Sequence, residues 1–301
     1  MPAFRLIFWA QAPGGKCMNE HSKNLLQIHS AVLLFGFTGL FGKYVALPAQ
    51  YIVLGRVFFA TAAMSLYFFF AGKNVRLNSV KDYLTVCFTG VILAFHWTAF
   101  YSSVQSSTVA IALLTFSAYP IFVTFIEPFV FHEKLKKRDI LFAVLIFCGV
   151  LLIIPDFNMK NSYFTGLLWG MAGSFSFAVM SMLNRLFASK HSGAVVAFYE
   201  QGTATLVLLP LLFLPHPAPT GRDLLLIAVL GVVFTGLAHS LFIQGMKNVR
   251  AQTAGLIAGL ESVYGIIAAA VLLSEIPSAR ELIGGALILG TAFVSTVLSD
   301  K

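Results

Sequence analysis

Charge is what this chain has least of. Only 11% of its 301 residues are Asp, Glu, Lys or Arg, against about 25% in an ordinary soluble domain. Hydrophobic residues make up 58% and the mean hydropathy is +0.85. Such a chain cannot clothe a water-facing globule, and the same numbers exclude a disordered one. Cysteine is scarce too. Cys17, Cys87 and Cys148 stand in no metal-binding spacing, which excludes a disulfide-rich secreted fold and a cysteine metal centre. The sequence has no Walker loop, no HExxH, no GxSxG and no Cys/His cluster. Nothing in it points to an enzyme, an ATP-driven pump or a bound cofactor.

Long apolar runs are what it has instead. Stretches at 25–44, 49–71, 83–104, 108–131, 138–155, 163–185, 193–214, 223–246, 251–274 and 280–299 approach the roughly 20 residues needed to cross about 30 Å of hydrocarbon. The runs are continuous rather than alternating, so they predict helices and not a barrel. The expected fold is an all-α integral membrane protein of ten transmembrane helices. Charge then sets the orientation. With the N-terminus inside, the outer side holds Lys43, Lys160, Arg222 and Arg280, Arg56 lies within a span, and the rest of the 20 Lys and Arg lie inside. Positive residues stay on the cytoplasmic side, which predicts N-in and C-in, in a cell inner membrane. The net charge of +8 therefore reads as topology and not as a nucleic-acid surface. Residues 1–24 form a short cytoplasmic tail without a signal-peptide layout, and Met18 is a candidate alternative start.

The chain also resembles itself at a shift of 142 residues. Lys43 then meets Arg185, Thr61-Ala62 meets Thr203-Ala204, Glu133 meets Glu275, and Arg138-Asp139 meets Arg280-Glu281. The units are 25–155 and 163–299, five spans each. An odd number of spans forces the second unit to enter from the opposite face, giving a five-plus-five inverted repeat. Two like halves of opposite orientation can exchange conformations and open a central site to either side, so the pattern favours an alternating-access carrier of a small molecule over a channel. Small-residue stripes such as Gly36-x-x-Gly39-x-x-Gly42 suit close helix packing within one chain or in a weak homodimer.

Several motifs carry a family likeness. Span 4 reads Ser107-Thr108-Val109-Ala110, then Tyr119-Pro120-Ile121, then Glu133-Lys134-Leu135. Its echo in span 9 reads Ala251-Gln252-Thr253-Ala254, then Glu261-Ser262-Val263, then Ser274-Glu275, and span 2 carries Leu54-Gly55-Arg56-Val57. Together with topology and period, these resemble the bacterial drug/metabolite transporter superfamily, EamA type. The resemblance implies a central cavity built from spans 1, 3, 4, 6, 8 and 9. It implies carriage of small polar metabolites, most often amino-acid export; organic-cation exporters and carriers of vitamins or nucleotide precursors are relatives. One departure is Ser262, where the pattern favours proline, so span 9 is expected to break less than span 4.

Ionisable residues inside spans are costly and therefore point to function. Glu261 lies near the middle of span 9, and the repeat places Tyr119 at the same place in span 4. His96, Trp97 and Tyr101 offer span 3 an aromatic wall with a titratable ring, and His239 holds nearly the corresponding place in span 8. These six are the expected substrate contacts, and their carboxylate and imidazoles suit protons as a coupling ion. Each histidine is equally readable as a packed, hydrogen-bonded ring. Arg56 either snorkels to the outer interface or contacts an anion, with Glu200 in span 7 as a candidate ion-pair partner and gate. In the repeat Arg56 meets Phe198 and Glu200 meets Phe58, an asymmetry that suggests specialised chemistry. Phe68-Phe69-Phe70 reads as lipid contact.

Overall fold

The structure is a computed structural model that describes residues 20–131, 135, 137–153, 158, 160–249 and 251–299. Most of the expected tail, the alternative start Met18 and Glu133 lie outside the described residues. The chain is helical throughout, with no strand among the described residues. In order the helices are α1 (Glu20–Gly36), α2 (Thr38–Tyr44), α3 (Ala49–Ala71), α4 (Val80–Ser106), α5 (Val109–Phe116), α6 (Tyr119–Phe131) and α7 (Lys137–Ile153). Then follow α8 (Ser162–Ala188), α9 (Gly193–Leu208), α10 (Gly221–Gly231), α11 (Ala238–Gly245), α12 (Ala251–Leu272) and α13 (Ala279–Ser299).

Among the described residues, 7 helical segments are long and apolar enough to cross a membrane. They are Glu20–Tyr44, Ala49–Ala71, Val80–Ser106, Val109–Ile126, Ser162–Phe187, Gly193–Phe213 and Gly221–Asn248. With the long apolar runs they make this an integral membrane protein. The remaining expected stretches are helical too, as α7, α12 and α13, but fall outside that set.

Polar residues at the ends and apolar residues between explain these helices. Ser79 caps α4 by accepting from the Asp82 N–H at 3.1 Å, Thr108 caps α5 through the Ile111 N–H at 3.1 Å, and Thr220 with Asp223 forms a reciprocal capping box on α10. Gly72, at φ 58°, closes α3 in the left-handed conformation that glycine adopts without strain. Hydrocarbon requires backbone groups to be paired along their own helices, or by side chains where a helix is broken. Phe69 and Phe70 are 80% and 81% exposed and face outward as expected, whereas Phe68 turns inward against Phe198 at 5.5 Å.

Three of the helical rods are interrupted, and each interruption has a cause. The rod α5–α6 breaks at Ser117–Ala118 because Pro120 has no N–H for the Phe116 carbonyl; the Ser174 hydroxyl of α8 donates to that carbonyl instead, at 3.0 Å. The rod α10–α11 widens into a π-helical turn over Val232–Leu237, where the Thr235 hydroxyl donates to the Leu230 carbonyl at 2.8 Å. The rod α1–α2 parts at Phe37, beside the Thr38 hydroxyl, which donates to the Phe35 carbonyl at 2.7 Å. By contrast α12 runs unbroken through Ser262, the outcome expected where serine replaces proline.

Helices of the first half pack mainly on helices of the second. α4 runs along α8, α1 along α11 and α12, α3 along α9 and α10, and α7 along α13. Gly90 lets α4 touch α9 backbone to backbone, since a Cβ there would lie 2.6 Å from the Glu200 carbonyl oxygen. Gly36 does the same for α1 and α12, where a Cβ would lie 2.6 Å from that of Tyr264.

Candidate functional site

The interruptions in the rods gather around one cavity. Its walls come from α1 (Phe35), the start of α2 (Thr38), α3 (Arg56), α4 (His96, Trp97, Phe100), α5 (Phe116), α8 (Phe177, Met180), α11 (His239, Phe242) and α12 (Glu261). In this conformation it is about 30 Å³, room for only a few waters. A metabolite enters only after these side chains move.

Arg56 is the best-held residue in the wall. It is 1% exposed, so it does not snorkel to the interface. Its Nε donates to the Thr235 hydroxyl at 2.9 Å and its Nη1 to the Tyr101 hydroxyl at 3.3 Å. The guanidinium carbon lies 3.9 Å from the centre of the Trp97 ring and 5.5 Å from that of Tyr101. A desolvated cation over an indole face is worth about 2 kcal/mol, which offsets part of the cost of burying the charge. The Tyr101 hydroxyl donates in turn to the Thr38 carbonyl at 3.1 Å. Arg56 is thus fixed in position and orientation, with donors left over for an anion.

The other expected residues divide between the wall and the layer behind it. His96 places Nδ1 2.9 Å from the Gly173 carbonyl oxygen, so that nitrogen carries the proton. His239 lines the cavity and packs edge to face on Trp97 with ring centres 5.6 Å apart. Glu261 lines it from α12 and is 7% exposed. Its neighbour Ser262 ties α12 to the broken rod, donating to the Leu113 carbonyl at 2.9 Å and meeting the Ser117 hydroxyl at 2.6 Å. Tyr101 and Tyr119 stand behind the wall. Tyr119 packs on Phe177 at 5.1 Å, and its buried hydroxyl has no hydrogen-bond partner among the described residues.

The ion pair expected between Arg56 and Glu200 is not formed. Glu200 is fully buried behind the wall and accepts from His239 Nε2 at 2.7 Å, while Arg56 spends its hydrogen bonds on Thr235 and Tyr101. Their helices, α3 and α9, pack together, but each side chain is held by other partners, Arg56 by Thr235 and Tyr101 and Glu200 by His239. Sequence reasoning missed the polar residues Thr38 and Thr235, and it did not single out the apolar wall residues Phe35, Phe100, Phe116, Phe177, Met180 and Phe242. A threonine in an apolar run has no distinguishing pattern, and only the π-helical turn brings the Thr235 hydroxyl to Arg56.

Comparison with known proteins gives this arrangement a family. The pattern of the EamA-like transporter family matches residues 23–154 and again residues 164–297. The chain belongs to the EamA-like transporter family. Family members of known name include the S-adenosylmethionine uptake transporter of Rickettsia felis (strain ATCC VR-1525 / URRWXCal2), 25% identical over 250 residues, which are 82% of each chain. The aromatic amino acid exporter YddG of Ancylobacter novellus is 24% identical over 216 residues, 70% of this chain and 75% of the exporter. The transporter YxxF of Bacillus subtilis (strain 168) is 20% identical over 270 residues, 88% of this chain and 86% of YxxF. A solved crystal structure at 22% identity covers 92% of this chain and 97% of its own with a TM-score of 0.68, and so shares the fold. As a family member, this chain is a multi-pass membrane transporter of the drug/metabolite type.

Proposed function

We propose that the chain is a secondary transporter that exports an amino-acid-like zwitterion across the cell inner membrane by alternating access. The observation that carries this reading is that Arg56 and Glu261 line one cavity whose other walls are largely aromatic. A fixed guanidinium suits a carboxylate, a carboxylate suits an ammonium, and aromatic rings suit the apolar side chain between them. The names of the Rickettsia and Ancylobacter relatives, an uptake transporter for S-adenosylmethionine and an aromatic amino acid exporter, both refer to amino acids or their derivatives. An organic-cation exporter needs the arginine out of the cavity, and Arg56 is in its wall.

The working architecture is ten spans in two inverted units, 25–155 and 163–299, behind a cytoplasmic tail of residues 1–24, with both termini inside. What supports it is the pairing of helices. Under the 142-residue shift, the contact of α4 with α8 becomes that of α11 with α1, while those of α3 with α9 and α7 with α13 map onto themselves. A pseudo-two-fold axis requires this pattern. The carrier works as a monomer or weak homodimer and takes protons as its coupling ion.

Counterflow in proteoliposomes tests the reading. Labelled amino acids, their amines and their esters are offered to protein loaded with the unlabelled amino acid. Saturable counterflow of one amino acid, lost in Glu261→Gln while the variant stays monodisperse in detergent, is the expected result. No counterflow for any amino acid from folded protein refutes it.

A further inference from the structure

Glu200 is a buried carboxylate that the cavity does not use. It is 0% exposed and no part of the wall. An ionisable group kept at such a place inside a membrane protein points to a task. Its Oε2 is taken by His239 Nε2–H at 2.7 Å, but its Oε1 is buried without a partner among the described residues. Asn184 of α8, 1% exposed, stands within hydrogen-bonding reach of the same carboxyl, and its Oδ1 is also buried without a partner. Both orphaned atoms are acceptors short of a donor. Turned so that its NH2 faces Glu200, the Asn184 amide donates to the carboxylate; turned so that Oδ1 faces it, the amide accepts one proton carried by the neutral acid.

The surroundings leave this proton to Glu200 and His239. α4 meets Glu200 with Gly90, and its Tyr83 and Cys87 face Tyr199 instead. α3 meets α9 through Thr61 and Phe68, neither of them ionisable, and Arg56 meets the Trp97 ring on which His239 packs. α8 brings the neutral Asn184. His239 is the titratable group that touches both the carboxyl and the cavity. Glu261 and His96 lie across that cavity.

We infer that Glu200 is the coupling-proton site of this carrier, set beside the substrate cavity and joined to it through the His239 ring. The inference rests on the carrier reading above and adds the place where the proton sits. The transfer balances without a further reactant. His239 Nδ1 takes a proton from the cavity while Nε2 gives its own to Glu200 Oε2, leaving a neutral acid and a neutral imidazole of the other tautomer, and a half-turn of the carboxyl then carries the new O–H away from Nε2 to the side facing Asn184. The charge-assisted bond of 2.7 Å is then lost. The imidazole is released, and with it the Trp97 ring that carries Arg56. The position 142 residues earlier is Phe58, 52% exposed, so the repeat supplies no matching carboxylate there.

The test uses full-length protein in proteoliposomes, with labelled phenylalanine as the transport probe and a trapped pH-sensitive dye. Wild type is expected to show counterflow at equal pH, and accumulation with proton flux under a pH gradient. Glu200→Gln is expected to keep counterflow within about two-fold and to lose both accumulation and proton flux. Asn184→Leu, which removes the acceptor for the neutral acid, keeps counterflow and weakens accumulation several-fold; a packing role alone lowers both together. Accumulation by Glu200→Gln under the pH gradient, or accumulation by wild type that follows a sodium gradient instead, overturns the assignment. Infrared difference spectra of detergent-solubilised protein between acid and alkaline buffer separate this result from the substrate question. A buried carboxylic-acid band that Glu200→Gln abolishes supports the site even if phenylalanine is not carried, and its absence from wild type refutes it. Should Glu200→Gln fail to fold, Glu200→Asp, which draws the carboxyl back from both partners, is expected to reduce coupling at least several-fold against intact counterflow.

Discussion

Trp97 touches Arg56 and His239 at once: the guanidinium carbon lies 3.9 Å from its ring centre and the imidazole packs on its edge at 5.6 Å. The cation of the substrate cavity and the histidine that reaches Glu200 therefore share one side chain. Trp97→Phe keeps a face for the cation and an edge for the imidazole, whereas Trp97→Ala removes both. Counterflow is expected to persist in the first variant and to fall at least tenfold in the second, with the larger loss in the half-saturating concentration. Equal rates in wild type and Trp97→Ala would show that Arg56 needs no aromatic support.

Arg56→Lys keeps the charge but not the planar fork that serves Thr235, Tyr101 and a carboxylate together. The expected loss is about 1–2 kcal/mol, or about tenfold in affinity. It should fall on the amino acid and spare its decarboxylated amine. Competition of the two against labelled substrate measures this, and an unchanged preference would remove Arg56 as the carboxylate contact.

Thr235→Val is nearly isosteric but leaves the Arg56 Nε without its acceptor and the Leu230 carbonyl without its donor. A buried group left unpaired costs about 1–3 kcal/mol. Thermal unfolding in detergent should therefore shift down, and counterflow should drop with it. Thr235→Ser, which keeps the hydroxyl, should restore both. A drop in Thr235→Ser equal to that in Thr235→Val would point to the methyl group rather than the hydrogen bonds.

At the opposite end from the proposed cytoplasmic face, Lys43 closes three segments together. Its Nζ lies 3.4 Å from Glu275 Oε1 and donates to the Ser107 carbonyl at 2.6 Å, while Glu275 Oε2 accepts the Val109 N–H at 2.9 Å. An ion pair of this kind at a helix mouth, with side chains 26% and 23% exposed, contributes about 0–1 kcal/mol, so Lys43→Glu should barely change the unfolding temperature. It should instead open the outer mouth. A cysteine at Thr38, in a background without native cysteines, is expected to react several-fold faster with an external impermeant thiol reagent. The double swap Lys43→Glu with Glu275→Lys should slow it again; no change in either variant rules out a closing role.

Much of this was legible in the chain. Apolar runs with polar caps such as Ser79, Thr108 and Thr220 define helices wherever they occur, because hydrocarbon leaves the backbone no other partner. Pro120 against Ser262 foretold a break in one rod and continuity in its counterpart. The cost of a charge in the membrane singled out Arg56, Glu261, His96 and His239, and all four line the cavity. The partners of those charges were not legible. Arg56 and Glu200 looked like a pair only because each was a lone charge in an apolar span.

Composition and periodicity by themselves determined that this is a membrane protein of packed helices and which few polar side chains it must bury. Those follow from transfer free energies, which belong to each residue wherever it sits. Which acid meets which base was decided only by the tertiary structure. A π-helical turn rotates Thr235 onto Arg56, and a missing Cβ at Gly90 brings the Glu200 backbone against α4. Such contacts depend on fractions of an ångström between helices far apart in the chain, and no local pattern records them.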